Sequence, residues 1–526
     1  MTTSRTARRS TAVAAVAGAL SLSSILAPNG ASAAREPVAT TGPTTTVKPY
    51  VLPVADGVSI TSLLTVGDKP AGNGYRMVGI PDGLGAYDMG NGELGLLMNH
   101  ELRETQGVLR DHGYRGAFVS QLTIDRATGA VTEADDFIKS VRYWQYAAGG
   151  GQFGATPVAP NYPTPAGPGH SLELRRFCSG ALTDPGQLLN ESSGNGYDGQ
   201  VYFANEETGD EGRVFGVTMD GIAHQLPRLG LFSWENTLAA LNESDTTLVM
   251  GNEDAGDGQL WAYVGKKTSS GSAIDKAGLM NGTNFVYDAV DESVSTDAQW
   301  RAKCGKGTPA AVDLAEVDWN QSGRSQNSEA KADGLTLNRI EDGAFDPRNP
   351  NDYYFLTTEG GDKTPNPALP ATTRDGGGLW RLSFTDIEKP ELGATLELLL
   401  DGSEKPYLSK PDNMEIDEHG NLLIQEDPGG NAAIARILAY RIDDGARGVV
   451  AQFDPARFSS ATAPGFLTTD EESSGILDIS DLAGKKGTFV FDAQVHKANP
   501  DPELVEEGQL LTMTVQSWGQ IYTIKG

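Results

Sequence analysis

Short apolar runs that end in polar and acidic residues recur along the chain. Six of them are GLLMNHE, VYFANEE, LVMGNED, YYFLTTE, LLIQED and FVFDAQVH, which end at Glu101, Glu207, Asp254, Glu359, Asp427 and His496. A second strand-like run follows each of them, such as AFVSQLTID after the first and GQLWAYVGK after the third. Because propellers repeat one small sheet around a central channel, the pattern predicts an all-β fold, a six-bladed β-propeller with inserted loops and short helices. Five or seven blades are the alternatives.

The distribution of turn residues agrees with this fold class. The chain has 526 residues, and its 64 Gly and 28 Pro fall mostly between the apolar runs. We expect one propeller domain over residues 49–526, preceded by a flexible Thr- and Pro-rich N-terminus at residues 34–48. The segments 147–169 and 268–333 are predicted to be inserted loops or small caps and not separate domains, and a short helix is expected near residues 233–242.

Residues 1–33 have the features of an export signal. Arg8 and Arg9 precede an apolar stretch over residues 12–26, and Ala-Ser-Ala at 31–33 fits a cleavage site. The paired arginines indicate the twin-arginine route. Other segments fall short of the ~18 apolar residues of a membrane span. We therefore expect a secreted, extracellular monomer without membrane insertion.

The net charge excludes one class of partner. The formal charge is −29, and the signal contributes three Arg and no acids, so the mature chain carries −29 − 3 = −32. Such a chain is not expected to bind nucleic acid through the phosphates. Bound cations would offset part of the charge, and a solvated acidic surface would tolerate the rest.

The acidic strand ends predict a metal site. Glu, Asp and Asn oxygens suit Ca²⁺, which takes six to eight oxygen ligands, and iron accepts carboxylate and thiolate. A zinc hydrolase of the usual His-rich kind is not expected, because the six His form no H-x-x-x-H pair. The candidate oxygen donors are Asn99, Glu101, Glu206, Glu207, Glu253, Asp254, Asp412, Glu426 and Glu472.

Four further residues allow more than one interpretation. Cys178 follows a basic run and is a metal ligand, a disulfide partner of Cys304 or a buried free thiol. Arg339 and Glu341, in LNRIEDGAFDP, form either a phosphate clamp beside a metal carboxylate or a surface ion pair. Glu235, in GLFSWENTLAAL, is by itself more typical of the first turn of a helix.

These motifs, in their order and spacing, resemble those of the PhoX-type alkaline phosphatases, and the resemblance covers most of the mature chain. The matching pieces are NHE at 99–101, CSGALT at 178–183, NEET and GRVF within 205–215, LFSWE at 231–235, NED and GQLWAYVGKK within 252–267, RIEDGAFDP at 339–347, PDNMEID and GNLLIQED within 411–427, and ESSG at 472–475.

The resemblance implies a metal-dependent hydrolase acting on phosphate monoesters of small phosphorylated organic substrates, with Fe³⁺ and Ca²⁺ in the central channel. It implies that Cys178 is a thiolate ligand of iron, that Glu235 and Glu341 are iron carboxylates, and that Arg339 holds the substrate phosphate. It implies further metal ligands at Glu206, Glu207, Asp412 and Glu472. The strand-end residues Asn99, Glu101 and Glu253 are added to this set from the repeat alone.

The chain departs from the family pattern in places. The family's T-P-W-G-T after the cysteine motif is here Thr-Asp-Pro-Gly-Gln at 183–187, and its Arg-Pro-Glu-Trp is Arg-Ile-Glu-Asp at 339–342. Two alternatives therefore remain open. One is a phytase-like or phosphodiesterase propeller that needs calcium alone, and the other is a non-catalytic secreted propeller in which calcium stabilises the fold.

Overall fold

The architecture is that of short strands joined by turns, with few helices. The computed structural model describes residues 35–70, 72–147, 150–157, 171–367, 374–430 and 433–526. The predicted export signal lies outside the described residues, as does much of the segment 147–169. The boundaries predicted at residues 33 and 48 stay predictions.

The described strands are β1 (Val38–Thr41), β2 (Val51–Pro53), β3 (Val58–Thr65), β4 (Pro81–Gly90), β5 (Glu93–His100), β6 (Phe118–Asp125), β7 (Val131–Asp136), β8 (Ser140–Ala147), β9 (Gly150–Gly154), β10 (Phe177–Leu182), β11 (Leu189–Asn190), β12 (Asn195–Gly196), β13 (Val201–Glu206), β14 (Val214–Thr218), β15 (Ile222–Gln225), β16 (Trp234–Ala239), β17 (Thr246–Glu253), β18 (Leu260–Lys266), β19 (Thr283–Ala289), β20 (Ala310–Val317), β21 (Ile340–Asp346), β22 (Asn349–Thr357), β23 (Gly378–Phe384), β24 (Ala394–Leu400), β25 (Pro411–Ile416), β26 (Asn421–Glu426), β27 (Arg436–Arg441), β28 (Arg447–Phe453), β29 (Glu471–Asp478), β30 (Thr488–Ala498) and β31 (Glu506–Val515).

The described α-helices are α1 (Ala273–Lys276), α2 (Asp297–Lys303), α3 (Gly323–Asp333), α4 (Pro455–Phe458), α5 (Ser480–Ala483) and α6 (Trp518–Ile521).

These strands form five larger sheets and one small hairpin, β11 with β12. The strand orders of the larger sheets are β4-β5-β6-β7, β10-β13-β14-β15-β8-β9, β16-β17-β18-β19-β20-β24-β23-β22-β21, β2-β28-β27-β26-β25 and β1-β3-β31-β30-β29. Most neighbours are antiparallel, while β1 with β3 and β15 with β8 are parallel. The side chains of β1 are exposed, and β1 lies within the N-terminal segment 34–48.

Six innermost strands surround a common axis. In chain order they are β4, β10, β16, β21, β25 and β29, each contacts the next, and β29 contacts β4 to close the ring. The predicted all-β propeller is thereby confirmed. The number of blades stays a prediction, since the nine-stranded sheet runs without a break through two of these groups.

Apolar side chains fill the space between neighbouring sheets. Leu97, Val119, Phe177, Tyr202 and Phe215 pack together between the sheet that begins at β4 and the sheet that begins at β10. Comparable clusters lie between the other neighbouring sheets. Burial of this apolar surface is the main force that holds the ring of sheets together.

The chain's two described ends meet in one sheet. Strand β3 near the N-terminus pairs antiparallel with β31 near the C-terminus, and Ile60 lies opposite Met513. Both side chains are fully buried among Phe489, Phe491 and Val58. The ring of sheets is therefore closed by hydrogen bonds between the two termini.

Two predictions of local structure are wrong. Residues 234–239 form β16 and not a helix, because this segment pairs with β17 and is buried on both faces as an innermost strand. The segment 268–333 is more than an inserted loop, because β19 and β20 belong to the nine-stranded sheet. In both cases tertiary packing overrides the weak local signal.

We expect the closure through β3 to contribute measurably to stability. Replacing Ile60 with Ala should lower the free energy of unfolding by about 2–5 kcal/mol, because it leaves a cavity in a closely packed core. Ser59→Ala, on the other face of the strand, should change it by less than about 0.5 kcal/mol. Urea denaturation of both variants tests this, and equal effects would contradict the role given to the buried face.

Candidate metal centre

The second residue of every innermost strand carries a metal-ligating side chain. These residues are Asp82, Cys178, Glu235, Glu341, Asp412 and Glu472, which we call the inner ring. The ligand atoms of Asp82, Glu101 and Cys178 lie within 4.8 Å of one another, and the same holds for Cys178, Glu207 and Glu235 and for Glu235, Glu341 and Asp412. Three overlapping groups of donors therefore extend across the channel.

A β-bulge follows the inner-ring residue in most of these strands. The pairing register shifts after Pro81, Phe177, Trp234, Ile340 and Pro411, the residues that directly precede the inner-ring position. A bulge inserts an extra residue and redirects the local side chains. This repeated irregularity brings one side chain from each strand to the same level.

Each acidic strand end in the sequence repeat consists of three consecutive residues, as in NHE at 99–101. The first, second and third of these positions have different tasks. The third position is held against the start of the innermost strand of its own sheet. At all six strand ends its backbone N–H donates to the carbonyl of the residue just before that strand, at 2.9–3.0 Å. The residues at this position are Glu101, Glu207, Asp254, Thr358, Asp427 and His496, which we call the outer ring.

The second position has a structural task. Glu206 is fully buried and forms an ion pair with Arg213, with Nε to Oε2 at 2.7 Å. Glu253 accepts from the indole Nε1 of Trp261 at 2.9 Å and from the backbone N–H of Gln259. The structure does not bring Glu206 or Glu253 into the three donor groups. Both lie one residue before an outer-ring acid and stabilise the sheet instead.

The first position connects neighbouring sheets. The Nδ2 of Asn99 donates to the carbonyl of Cys178 at 2.7 Å, and Asn99 Oδ1 accepts from the hydroxyl of Tyr202 at 2.8 Å. Asn99, predicted as a metal ligand, is therefore occupied with positioning the cysteine on the next sheet. The same kind of bond joins Asn205 to the carbonyl of Glu235 and Asn252 to the carbonyl of Glu341.

Arginine side chains lie between the rings. The Nε and Nη2 of Arg339 bind both oxygens of Asp254 at 2.8 and 2.9 Å, and Nη2 is 3.1 Å from Glu341 Oε1. Arg176 forms ion pairs with the two outer-ring acids Glu101 and Glu207, and its Nε and Nη2 both contact Oε2 of Glu207. Both guanidinium groups are partly exposed, at 28% for Arg339 and 35% for Arg176. They can therefore meet a ligand that enters from solvent.

Four of the six residues just before the innermost strands have strained backbones. The φ angles of Ile80, Arg176, Arg339 and Lys410 are +51°, +38°, +56° and +49°, which is unusual for side chains other than glycine. Each such conformation costs about 1–3 kcal/mol and persists only where the surroundings enforce it. Two of the four residues are the arginines of the site.

Burial and mutual repulsion raise the pKa values of the inner-ring carboxyl groups. Burial, with neighbouring carboxylates, raises the pKa of Asp82, Glu235, Glu341 and Asp412 well above the ordinary value. Burial also raises the pKa of Glu472, to about 7. The negative charge of Glu341 raises the pKa of Arg339. Carboxylates gathered this closely need cations before they can all ionise.

The donor set fits metal ions of two kinds. Cys178 Sγ lies 3.2 Å from Asp82 Oδ2 and 3.2 Å from Glu235 Oε1, so a thiol and carboxylates converge, as iron accepts. The carboxylates of Glu341 and Asp412 add the oxygen donors that calcium prefers. Both cysteines are free, so the disulfide between Cys178 and Cys304 is excluded.

A cavity of about 540 Å³ lies on the other side of the inner ring. It is lined by Asp342, Glu415 and the residues at 183–185 and 187, which replace the family's T-P-W-G-T. Hydrogen bonds from Asn236 and from the backbone of Met414 hold Asp342. This departure from the family pattern therefore lies apart from the three donor groups.

The sequence reasoning missed some residues of the site. Asp82 was not a candidate, although Pro81-Asp82 repeats the Pro411-Asp412 pair that was recognised. The fourth acidic strand end was placed one residue late, because Thr358 and not Glu359 is in the outer ring. Arg176 was missed as well, since it lies within a basic run that gives no separate signal.

Glu206 and Glu207 provide a matched test of the three-position pattern. Glu206→Gln should lower the free energy of unfolding of the metal-free protein by about 3–5 kcal/mol, because it leaves the buried Arg213 unpaired, with little change in metal content. Glu207→Gln should have the opposite profile, with metal affinity reduced about tenfold or more. Urea denaturation with chelator and elemental analysis measure both, and identical profiles would contradict the division of tasks.

Comparisons with known proteins identify a family. The family described as alkaline phosphatase PhoX matches residues 195–473, which contain the inner-ring residues Glu235, Glu341, Asp412 and Glu472. Comparison with curated proteins gave no match. Within the described residues, the helices are too short or too polar to cross a membrane.

One solved structure supports the fold. A structure of Pseudomonas fluorescens PhoX in complex with vanadate, a transition state analogue, has a TM-score of 0.53 and 12% identity, covering 88% of this chain and 96% of that chain. A Dyadobacter fermentans protein of unknown function has a TM-score of 0.36 and 9% identity, covering 88% and 99%. At 12% identity the first similarity shows the β-propeller fold alone. Because the family match spans more than half of the sequence, the chain belongs to the alkaline phosphatase PhoX family.

Proposed function

We propose that the protein is a secreted, metal-dependent alkaline phosphatase that hydrolyses phosphate monoesters of small organic substrates at the inner ring. The observation that carries the proposal is the run of three overlapping donor groups beside the partly exposed Arg339 and Arg176. A site that combines acids for cations with guanidinium groups for an anion suits a phosphate that bridges them. Family membership supplies the reaction class.

The proposed cofactors are Fe³⁺ and Ca²⁺. Cys178, Glu235 and Glu341 would hold iron, and Asp412 and Glu472 with the outer-ring acids would hold calcium. When bound, such ions supply Lewis acidity toward the phosphoryl oxygens. The donor set supports this proposal, because it offers oxygen ligands that would suit a hard cation and a thiolate that would suit iron.

Arg339 is the proposed phosphate-binding residue. Its Nε and Nη2 are fixed by Asp254 and Glu341, and among the described residues its Nη1 has no hydrogen-bond partner. A guanidinium held in this way loses little freedom when it binds a phosphate oxygen. Its positive charge would stabilise the charge on the phosphoryl oxygens in the transition state.

Thr358 and Asp254 are the proposed positioning residues for this pair. The hydroxyl of Thr358 lies 2.6 Å from Glu341 Oε1, so it fixes the rotamer of the carboxylate. The two oxygens of Asp254 fix the plane of the Arg339 guanidinium. These contacts give the proposed site the second layer of support that precise catalytic geometry needs.

Hydrolysis of p-nitrophenyl phosphate at alkaline pH, by protein purified without chelator, tests the reaction, and elemental analysis of the same sample tests the cofactors. Activity together with iron and calcium supports the proposal. Calcium without iron would favour the calcium-dependent phosphoesterase, and the absence of activity would favour a non-catalytic propeller. Export and the monomeric state are tested by fractionation and by sedimentation.

Arg339→Lys should lower kcat/KM by about 10²–10³, because a compact ammonium cannot reproduce the guanidinium contacts. Metal content should stay at the wild-type value. Arg381→Lys is the matched control, since Arg381 is equally exposed but pairs with Glu397 on outer strands. A small effect of Arg339→Lys, similar to that of the control, would remove Arg339 from the proposed site.

Cys178→Ser separates iron from calcium. We expect the variant to lose iron while it keeps calcium, because an alcohol is a poor replacement for a thiolate ligand. Activity should fall with the iron content. Unchanged iron and unchanged activity would show that Cys178 is only a buried thiol, and inductively coupled plasma mass spectrometry gives the measurement.

A further inference from the structure

Asp492 is a buried acid that the proposed phosphatase site does not use. It lies on β30, its side chain is fully buried, and both carboxylate oxygens lack a hydrogen-bond partner among the described residues. A buried ionised group without a partner is strongly destabilising. Its presence therefore needs a physical explanation.

The equivalent position is apolar on the other sheets. Asp492 lies four residues before the outer-ring residue His496. The residues four positions before the other outer-ring members are Leu97, Phe203, Met250, Tyr354 and Leu423, and all five are buried. A carboxylate has thus replaced a core side chain on this one sheet.

Further oxygens without partners surround Asp492. Gln494 lies on the same face of β30, and its Nε2 donates to Asp82 Oδ2 at 2.9 Å while its Oε1 has no described partner. Asp82 Oδ1, on the side away from Cys178, is buried and also lacks a partner. Three neighbouring side chains of this closure therefore each keep a buried oxygen atom that accepts no hydrogen bond among the described residues.

Gly475 lies in close contact with two of these residues. A Cβ atom at Gly475 would lie 3.3 Å from Asp492 Oδ2 and 2.9 Å from the carbonyl oxygen of Asp82. The region lies between β30 of the last sheet and β4 of the first, where the ring of sheets closes. The absence of a side chain at Gly475 therefore lets oxygen atoms from both sides of the closure approach each other closely.

We propose that Asp492, Gln494 and Asp82 bind a divalent hard cation, Ca²⁺, which connects the first and last sheets of the ring. The ligands would be the Asp492 carboxylate, Gln494 Oε1, Asp82 Oδ1 and the Asp82 carbonyl. An all-oxygen set of this kind suits calcium and offers nothing to a softer metal. The site is structural and does not depend on the phosphatase proposal.

The rival explanation is a neutral Asp492. Burial raises the pKa of this carboxyl well above its ordinary value, so a protonated acid is the state expected without a cation. The two explanations differ in what an isosteric amide does. Asparagine replaces a neutral carboxyl at little cost, whereas it removes the charge that a calcium ion requires.

The test compares Asp492→Asn with the wild type, both purified without chelator. We expect Asp492→Asn to hold about one calcium ion fewer per chain, with unchanged iron, and to have a smaller rise in Tm when Ca²⁺ is added. Asp342→Asn is the control, since both Asp342 oxygens already accept hydrogen bonds and its calcium count should not change. An unchanged calcium count and an equal or higher Tm for Asp492→Asn would overturn the proposal.

A second measurement covers a variant that fails to fold. Wild-type crystals soaked in Mn²⁺ should give an anomalous difference peak beside the Asp492 carboxylate, separate from any peak at Cys178. The absence of such a peak, with peaks present at the inner ring, would overturn the calcium site and leave the phosphatase proposal intact.

Discussion

Repulsion among buried carboxylates is the constraint on which the rest of this structure depends. The innermost strands bring Asp82, Glu235, Glu341 and Asp412 to one level around the axis, and burial raises the pKa of each. Such a group of acids is unfavourable for folding unless protons or cations neutralise it. The arrangement therefore couples the stability of the fold around the channel to the binding of protons or cations in it.

Much of the surrounding structure serves to hold these acids in place against that repulsion. The β-bulge beside most inner-ring residues and the amide side chains such as Asn99 fix the strands relative to one another. Arg176 and Arg339 supply positive charge between the rings, at the cost of strained backbones. The buried ion pair of Glu206 with Arg213 then holds the end of the second strand of its sheet.

The fold class was predictable because the repeat consists of short apolar runs that alternate with turns. This alternation does not depend on the sequence of the loops between the runs. The local errors came from segments in which that signal is weak. Residues 234–239 look helical in isolation, yet pairing with β17 makes them an innermost strand. β19 and β20 were missed because their surroundings are polar, although they complete the sheet.

The site was predictable only where one residue type performs one task. Acids recur at the strand ends, but the sequence does not distinguish Glu206, which binds Arg213, from Glu207, which faces Cys178. That difference is set by strand alternation, since successive side chains point to opposite faces. An error of one residue in the predicted position therefore assigns the wrong task to a residue. Glu359 is such a case, because the outer-ring position belongs to Thr358.

The position of the thiol follows from the same geometry. Cys178 belongs to two of the three donor groups, together with Asp82 and Glu101 on one side and Glu207 and Glu235 on the other. As a thiol it needs no cation, since burial and the neighbouring acids raise its pKa. As a thiolate it adds a further negative charge to a region that is already crowded with them. The ionised cysteine is therefore compatible with this channel only when cations are bound, so its ionisation and the loading of the site must occur together.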